Sequence, residues 1–248
     1  FLHFAQASLM LATYFSVDSV SSFTRPISYS YVVYDENTSN LAQQTSFAFN
    51  LAIGLVTPFF LYLSALAHAI VCFCPGVYIN QINAGINRIR WYEYAVSSTL
   101  MIVMIAVLFG VWDLGQLVAI AGCNASMNFF GLMMEELNAV TSLNRTSVSW
   151  SPFFLGCFAG VVPWANVMLA FLGSGDYANI PDFVYGILIG YFVFFNTFPV
   201  NMALQYKRWG LWEDYRYGES VYILLSLLSK SLLAWLVFGG TFQPNGEN

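Results

Sequence analysis

Long apolar stretches recur along the chain, and most of them are separated by short polar segments. Each is about 20 residues long, which is the length of an α-helix that crosses the hydrocarbon core of a bilayer. Asp, Glu, Lys and Arg are rare within them, and residues 1–17 contain none. The pattern predicts seven membrane-spanning helices, at about residues 1–17, 48–75, 86–111, 114–138, 151–173, 183–206 and 217–240.

One connecting segment is much longer than the others. Residues 24–47 are polar and partly β-branched or aromatic, which predicts a first loop that can form a short β-hairpin. No internal repeat and no linker divides the chain. We therefore expect residues 1–248 to form a single all-α membrane domain, a rhodopsin-like bundle of seven helices with a hairpin in its first loop.

The composition agrees with a surface that faces a lipid bilayer. Hydrophobic residues make up 58% of the chain and charged residues only 8%, whereas a soluble domain has about a quarter of its residues charged. The chain has no basic run, so nucleic acid is not an expected partner. Cys72 and Cys74 are too closely spaced for a zinc site, and we expect the four cysteines to be buried, reduced thiols.

The basic residues are distributed unevenly between the two ends of the predicted bundle. Six lie on the side of the N-terminus, and only Arg25 lies on the other side. The positive-inside rule then places the N-terminus in the cytoplasm and the C-terminus outside the cell. The six residues are Arg88, Arg90, Arg145, Lys207, Arg208 and Arg216.

Two ionisable residues are predicted inside the membrane, where a charge is costly and commonly functional. Lys230 lies far from both ends of the seventh span, and Glu93 lies within the third span. A structural ion pair and a Schiff base between the lysine and an aldehyde both account for them. Retinal suits the second alternative, because aromatic residues, 18% of the chain, can line a slot for an apolar polyene. Glu93 would then be the counterion of the protonated Schiff base, and Ser226, one turn before Lys230, would add an uncharged hydrogen-bonding group.

Polar residues of the first two spans are predicted at the same depth as Glu93. Two pairs of them are spaced three or four residues apart, so the members of each pair share a helix face. Together with Glu93 they could line a wet cavity on the cytoplasmic side, in which the histidines accept a proton. Simple packing of buried histidines is the alternative. The pairs are His3 with Gln6 and Ser64 with His68.

Several segments of the chain resemble the heliorhodopsin family, and they occur in the family's order and spacing. The third span reads Arg90-Trp-Tyr-Glu-Tyr-Ala-Val-Ser-Ser98, and the seventh reads Ser226-Leu-Leu-Ser-Lys-Ser-Leu-Leu-Ala-Trp235. Ordinary microbial rhodopsins have an aspartate four residues before the lysine, where this chain has Ser226. The other segments that resemble the family are residues 3–6, 64–68, 122–135 and 204–219.

The resemblance implies a role for each matched residue. Lys230 would bind all-trans retinal as a protonated Schiff base, with Glu93 as its counterion. Ser98, Met101 and Met127 would lie in or beside the chromophore pocket. The family also implies homodimers and an inverted membrane topology, and the inverted topology agrees with the distribution of basic residues. The residues that would line the Schiff-base cavity are His3, Gln6, Ser64, His68, Tyr94, Asn124, Ser226 and Trp235.

These observations favour a photosensor. Light would drive proton transfer within the cytoplasmic cavity, followed by a slow conformational change that reaches a signalling partner. Ion pumping is not expected, because the third span has no carboxylate between Glu93 and Asp113 at its far end. A light-gated proton channel is the alternative, and a receptor or transporter with Lys230 in a plain ion pair is a third. The chain contains no Ser-His-Asp set, metal cluster or phosphate loop, so we do not expect an enzyme.

Overall fold

The computed structural model describes residues 1–36, 39–144, 147–173, 175, 180 and 182–242. Within these ranges the chain forms nine α-helices and one β-hairpin. A 3-10 turn, Gly210–Glu213, precedes the last helix. The elements are α1 (Leu2–Ser16), α2 (Asp18–Ser21), β1 (Thr24–Asp35), β2 (Asn40–Ala52), α3 (Ile53–Phe73), α4 (Pro75–Asn83), α5 (Arg88–Leu108), α6 (Leu114–Asn144), α7 (Ser151–Gly173), α8 (Asp182–Lys207) and α9 (Tyr215–Gly240).

Each of the seven predicted spans coincides with one helix. In chain order these helices are α1, α3, α5, α6, α7, α8 and α9. In the described part of the chain, six of these helices are long and apolar enough to cross a membrane. The seventh, α1, has 15 residues and is shorter. The predicted helical membrane bundle is therefore confirmed. Arg145, one of the six basic residues counted above, lies outside the described residues.

The element boundaries differ from the prediction in three places. Strand β2 runs to Ala52, so the second span begins at Ile53 rather than near residue 48. Residues 75–83 form the short helix α4 rather than a loop, and Pro75 lies in its first turn, where the missing N–H costs nothing. Helix α6 continues to Asn144, beyond the predicted end at residue 138.

The predicted hairpin is present, and it is longer than expected. Its antiparallel register runs from Thr24 opposite Ala52 to Asp35 opposite Asn40, with an irregularity after Ile27. Two backbone N–H groups attach β1 to the segment between α5 and α6. The Ser28 N–H donates to the Trp112 carbonyl at 3.0 Å, and the Ser30 N–H donates to the Asp113 carboxylate at 3.1 Å.

The helices pack around α5, which is the most buried of the six long helices, whereas α7 is the least buried. Helix α3 packs against α5, α5 against α6, and α6 against α7. Helix α9 packs against α1, α3 and α8. One apolar cluster lies next to the hairpin and includes Met104 and Ile105. A second, around Trp91 and Tyr222, lies towards the start of α5. The two clusters mark the two ends of the bundle. We call the first the hairpin end and the second the arginine end, after Arg90 near the start of α5.

Candidate functional site

A buried ion pair joins α9 to α5 in the interior of the bundle. The Lys230 side chain is 3% exposed, and its Nζ lies 2.5 Å from Glu93 Oε1. The Ser64 hydroxyl of α3 completes a triangle, since it accepts from Lys230 at 2.6 Å and donates to Glu93 at 2.7 Å. The Lys230 ammonium also lies 5.0 Å from the centre of the Tyr94 ring. Three helices therefore hold one cation and one carboxylate in contact.

A large and mostly apolar cavity of about 440 Å³ borders Lys230. Its volume lies within the range of about 300–1,000 Å³ that is common for small-molecule sites. Its walls come from five helices, α5 to α9, and most of its lining is aromatic, methionine or glycine. Besides Lys230, four residues predicted for the site line this cavity, and they are Tyr94, Ser98, Met101 and Met127.

The sequence analysis assigned no role to several residues that line the large cavity. Trp91, Asn128 and Phe198 line the large cavity, as do the aromatic pairs that Trp164 forms with Phe192 and Phe195. Trp91 precedes Tyr94 by three residues and Ser98 by seven, which places all three on one face of α5. That spacing is a signal by which the sequence could have identified Trp91.

Asn124 lies behind the wall of the large cavity rather than in it. Its side-chain amide donates to Ser98 at 2.8 Å and to Thr99 at 3.0 Å. Asn128, one turn later on α6, donates to the same Ser98 hydroxyl at 3.0 Å. The two asparagines therefore hold Ser98 in place, and Asn128 is the one that reaches the cavity.

A second cavity, of about 80 Å³, lies between Glu93 and the arginine end. Its lining includes Ser64, His68, Glu93, Tyr94 and Ser226, which are residues that the sequence analysis assigned to a polar cavity. Tyr94 borders both cavities. Because Lys230 borders the large cavity and Glu93 borders the small one, the ion pair lies where the two cavities meet.

His3 and Gln6 lie next to the small cavity and contribute to it indirectly. The His3 ring is buried and stacks against His68, with 6.2 Å between ring centres. Neither of its ring nitrogens has a hydrogen-bond partner. Gln6 accepts a hydrogen bond from Ser231 of α9 at 3.0 Å. The two predicted histidines are therefore brought together, and His3 has two free hydrogen-bonding atoms.

Some sequence expectations differ from the structure. Trp235 is predicted in the cavity wall, but its side chain is 42% exposed on the outer surface and borders neither cavity. It follows Lys230 by five residues, which rotates it by roughly 140° around the helix. The cysteines were expected to be buried, but Cys72, Cys74 and Cys157 are exposed on the bundle surface.

A second buried ionic cluster was not predicted. Arg90 of α5 forms ion pairs with Glu135 of α6 and with Glu219 of α9. Asn87 joins the same carboxylates, since its backbone N–H donates to Glu135 at 2.8 Å and its side-chain amide donates to Glu219 at 2.6 Å. The sequence placed these charges near the span ends. The structure buries all of them, and Arg90 and Glu219 also line the small cavity.

A bundle of membrane-spanning helices with a buried lysine beside an apolar cavity is the architecture of rhodopsins. The fold is similar to that of a halorhodopsin variant in its ground state, with a TM-score of 0.57 and 12% sequence identity. The match covers 97% of this chain and 92% of that chain, and at this identity it establishes the fold alone. No curated protein sequence matches the chain.

The chain belongs to the heliorhodopsin family, whose model matches residues 1–242. It is therefore a multi-pass membrane protein of a retinal-binding photoreceptor family, and that family is not enzymatic. The resemblance inferred from the sequence segments is confirmed. Within the described residues, no cluster of three or more His, Cys, Asp or Glu residues could hold a metal ion.

The residues around Lys230 fit retinal. The cofactor is an apolar polyene with an aldehyde at one end, so it needs a primary amine next to a long apolar cavity. Lys230 offers a buried amine that borders a cavity lined by Met101, Met127, Trp164 and Phe195. Glu93 supplies the anion that a buried cationic nitrogen needs.

Proposed function

We propose that the protein is a light sensor in which Lys230 carries all-trans retinal through a protonated Schiff base and Glu93 is the counterion. The observation that carries this proposal is the 2.5 Å contact between Lys230 and Glu93 at the junction of the two cavities. Retinal would supply the absorption of visible light and a change of shape at the lysine nitrogen. The other parts of the mechanism belong to side chains of this chain.

Glu93, Ser64 and the histidines are suited to move a proton over a short distance. Ser64 holds the Glu93 carboxylate against the lysine nitrogen, with hydrogen bonds of 2.7 Å and 2.6 Å. His68 borders the same small cavity, and His3 stacks on it with unpaired ring nitrogens. We infer that a proton leaving the Lys230 nitrogen stays in this region, on Glu93 or on the histidine pair.

Transfer across the whole membrane is not part of this proposal. Among the described residues, the buried carboxylates Glu93, Glu135 and Glu219 all lie at the level of the small cavity or towards the arginine end. On the hairpin side of Lys230, the interior of α5 consists of apolar residues such as Met104 and Ile105. An outward relay would need an ionisable group there.

The absorption spectrum tests the site. Adding retinal to the wild-type protein should produce a visible band, and Lys230→Ala should abolish it because the attachment point is lost. Leu228→Ala, on the lipid-facing side of the same helix, is the matched control and should keep the band. Glu93→Gln should shift the band to longer wavelength, because loss of the anion narrows the chromophore's energy gap. An unchanged band in Lys230→Ala would reject the proposal in favour of a plain ion pair.

A light-gated proton channel is the second candidate function. The small cavity favours it, because this cavity extends from Glu93 towards the arginine end and contains His68 and Glu219. Photocurrents in voltage-clamped cells distinguish the two functions. A sensor should give no sustained current, whereas a channel should give a current that reverses with the proton gradient. A one-directional current without a gradient would indicate a pump and reject both.

We further propose an inverted orientation, a homodimer and a separate signalling partner. The orientation rests on the excess of basic residues at the arginine end, which the positive-inside rule places in the cytoplasm. A protease-cleavable tag at each terminus should be cut from the cytoplasmic side only at the N-terminus.

The homodimer has a separate test. The mass of the protein in detergent, measured by light scattering, should correspond to two chains. Cleavage of the C-terminal tag from the cytoplasm, or a one-chain mass, would overturn the respective proposal.

A further inference from the structure

The turn between α8 and α9 exposes basic and large apolar side chains next to one another. Trp209 is 70% exposed and Leu211 is 66% exposed. Lys207, the last residue of α8, is exposed as well, and it forms no ion pair within the described ranges. Tryptophan beside lysine and arginine is typical of the boundary between a membrane and water.

The length of α8 places this turn at the level of the lipid headgroups. The helix has 26 residues, so at a rise of 1.5 Å per residue it is about 39 Å long. The hydrocarbon core of a bilayer is only about 30 Å thick. The ends of α8 therefore reach the headgroup layers, and the end at Lys207 does so at the arginine end of the bundle.

Lys207 continues the lipid-facing side of α8. Val193 and Val200 are each 55% exposed on this side. Lys207 follows Val200 by seven residues, which is close to two helical turns, so the two side chains share a face. The Lys207 methylene groups can lie along lipid while the ammonium reaches the phosphate layer. The position of this lysine therefore favours a lipid over a partner in the aqueous phase.

The backbone at the end of α8 holds a second cation beside Lys207. The Trp209 N–H donates to the Leu204 carbonyl at 3.2 Å. The Arg208 N–H donates to the Gln205 carbonyl, also at 3.2 Å, and the two bonds form a Schellman motif. Arg208 has a φ of 53°, a left-handed conformation that glycine usually occupies. An arginine is less favourable than glycine for such a turn, which indicates that its charge matters here.

The inner side of the turn is fixed to both helices. The Trp212 indole N–H donates to the Asn201 side-chain oxygen of α8 at 2.6 Å. The Asn201 amide in turn donates to the Gly218 carbonyl of α9 at 3.1 Å. The outer side of the turn is therefore formed before any ligand arrives, and a preformed site loses little conformational entropy on binding.

We propose that Lys207, Arg208 and Trp209 form a binding site for the headgroup of an anionic phospholipid. The two cations bind the phosphate, and the indole ring lies in the headgroup layer. Of the two carboxylates that follow in the turn, Asp214 caps α9 by accepting from the Arg216 N–H at 2.9 Å. The site goes beyond the light-sensing function and does not depend on retinal.

A lipid titration of the full chain in detergent tests the site. Native mass spectrometry counts the bound lipids, with phosphatidylglycerol as the anionic probe and phosphatidylcholine as the reference without net charge. We expect tighter binding of phosphatidylglycerol. Lys207→Gln with Arg208→Gln should weaken that binding by roughly 25-fold, about fivefold for each charge. Equal affinity of the wild type for the two lipids, or an unchanged affinity in the double variant, would overturn the site.

Two other exposed arginines at the same end provide a matched control. Arg88 pairs with Glu136 at 2.8 Å, and Arg216 donates to the Asn83 side chain at 3.1 Å. Arg88→Gln with Arg216→Gln removes the same two charges, and its affinity should stay close to that of the wild type. Equal weakening in the control would show that only net charge matters and would reject the site. Glu213→Gln, which removes an exposed negative charge from the turn, should strengthen binding.

Tryptophan fluorescence distinguishes a lipid from a soluble protein partner. The chain has 7 tryptophans, and the difference between the wild type and Trp209→Phe isolates the emission of Trp209. In nanodiscs, phosphatidylglycerol brominated near the headgroup should quench this emission, and water-soluble acrylamide should have little effect. Quenching by acrylamide alone would place the turn in the medium. That result would overturn the lipid site and favour a soluble partner.

Discussion

Two buried ionic groups lie at opposite ends of one small cavity, and they differ in how tightly they are held. The Lys230 ammonium has one carboxylate and one serine hydroxyl as partners, and it borders the large cavity. The Arg90 guanidinium has two carboxylates, which are themselves bound by Asn87 and Tyr215. The lysine therefore has fewer charged partners than the arginine and has space beside it, whereas the arginine is held by two carboxylates and only its Nε has no partner among its guanidinium nitrogens.

The difference indicates which group is suited to react and which group is suited to join helices. A nitrogen that must bind a cofactor and lose a proton needs adjacent space and few competing contacts. A group that joins helices needs the opposite, because each additional fixed contact raises the cost of moving it. The flexible lysine with one counterion suits the first role. The planar guanidinium, whose two arms can bind two carboxylates at once, suits the second.

The largest expected effect is on stability. It is measured by comparing the loss of Arg90 with the loss of Lys230. Arg90→Met leaves Glu135 and Glu219 buried without their cation, which should lower the free energy of unfolding by about 3–5 kcal/mol. Lys230→Met leaves only Glu93, which keeps its Ser64 hydrogen bond and borders a cavity, so the loss should be smaller, about 1.5–3 kcal/mol. Unfolding in mixed micelles, measured on the retinal-free forms, checks both values. Equal losses would remove the distinction between the two groups.

A smaller effect is expected at the wall between the two regions. Trp91 borders the large cavity, and the Arg90 guanidinium lies 5.0 Å from its ring. A methyl group on Gly131 of α6 would collide with this ring. Gly131→Ala should therefore displace Trp91, with a packing cost of about 1–3 kcal/mol, which a helix-propensity gain of about 1 kcal/mol partly offsets.

The absorption maximum and the extent of retinal uptake measure the effect of Gly131→Ala. Both should change if the Trp91 ring moves in the cavity wall. Gly122→Ala on the same helix is the control, because nothing lies within 4 Å of the added methyl group. An unchanged spectrum in Gly131→Ala would mean that Trp91 does not shape the cavity.

The smallest expected effect lies at the hairpin end, far from both ionic groups. Backbone N–H groups of Gln116 and Ser30 donate to the Asp113 carboxylate and hold its pKa below the ordinary value of 3.8. A carboxyl whose pKa is lowered in the folded state stabilises the fold above its unfolded pKa, and the stabilisation is lost as the pH falls through the folded pKa. The attachment of β1 should therefore loosen only in acid.

Hydrogen exchange at the Ser30 amide measures this loosening. Its protection should fall at about pH 3 relative to about pH 6 after correction for intrinsic exchange, and Asp113→Asn should weaken it at both values. Glu36→Gln, at the exposed tip of the hairpin, is the control. The visible band should stay unchanged in both variants. A change of the band in Asp113→Asn would contradict the separation of the hairpin end from the site.

The periodicity of the chain was sufficient to predict the spans, but it could not identify which side chains face inward near the helix ends. Glu135 and Glu136 are adjacent, yet their side chains are 1% and 42% exposed. Arg88 and Arg90 are two residues apart, and their side chains are 47% and 5% exposed. Such pairs look alike in a sequence, because charges near span ends usually reach water.

The sequence by itself predicted the membrane bundle and singled out a buried lysine with a carboxylate partner, because a charge deep in an apolar helix is costly enough to stand out. Only the tertiary structure decided that Arg90, Glu135 and Glu219 form a second buried cluster and that Trp235 faces outward. Those positions depend on how α5, α6 and α9 rotate against one another. That rotation follows from the packing of many weak contacts rather than from any single residue type.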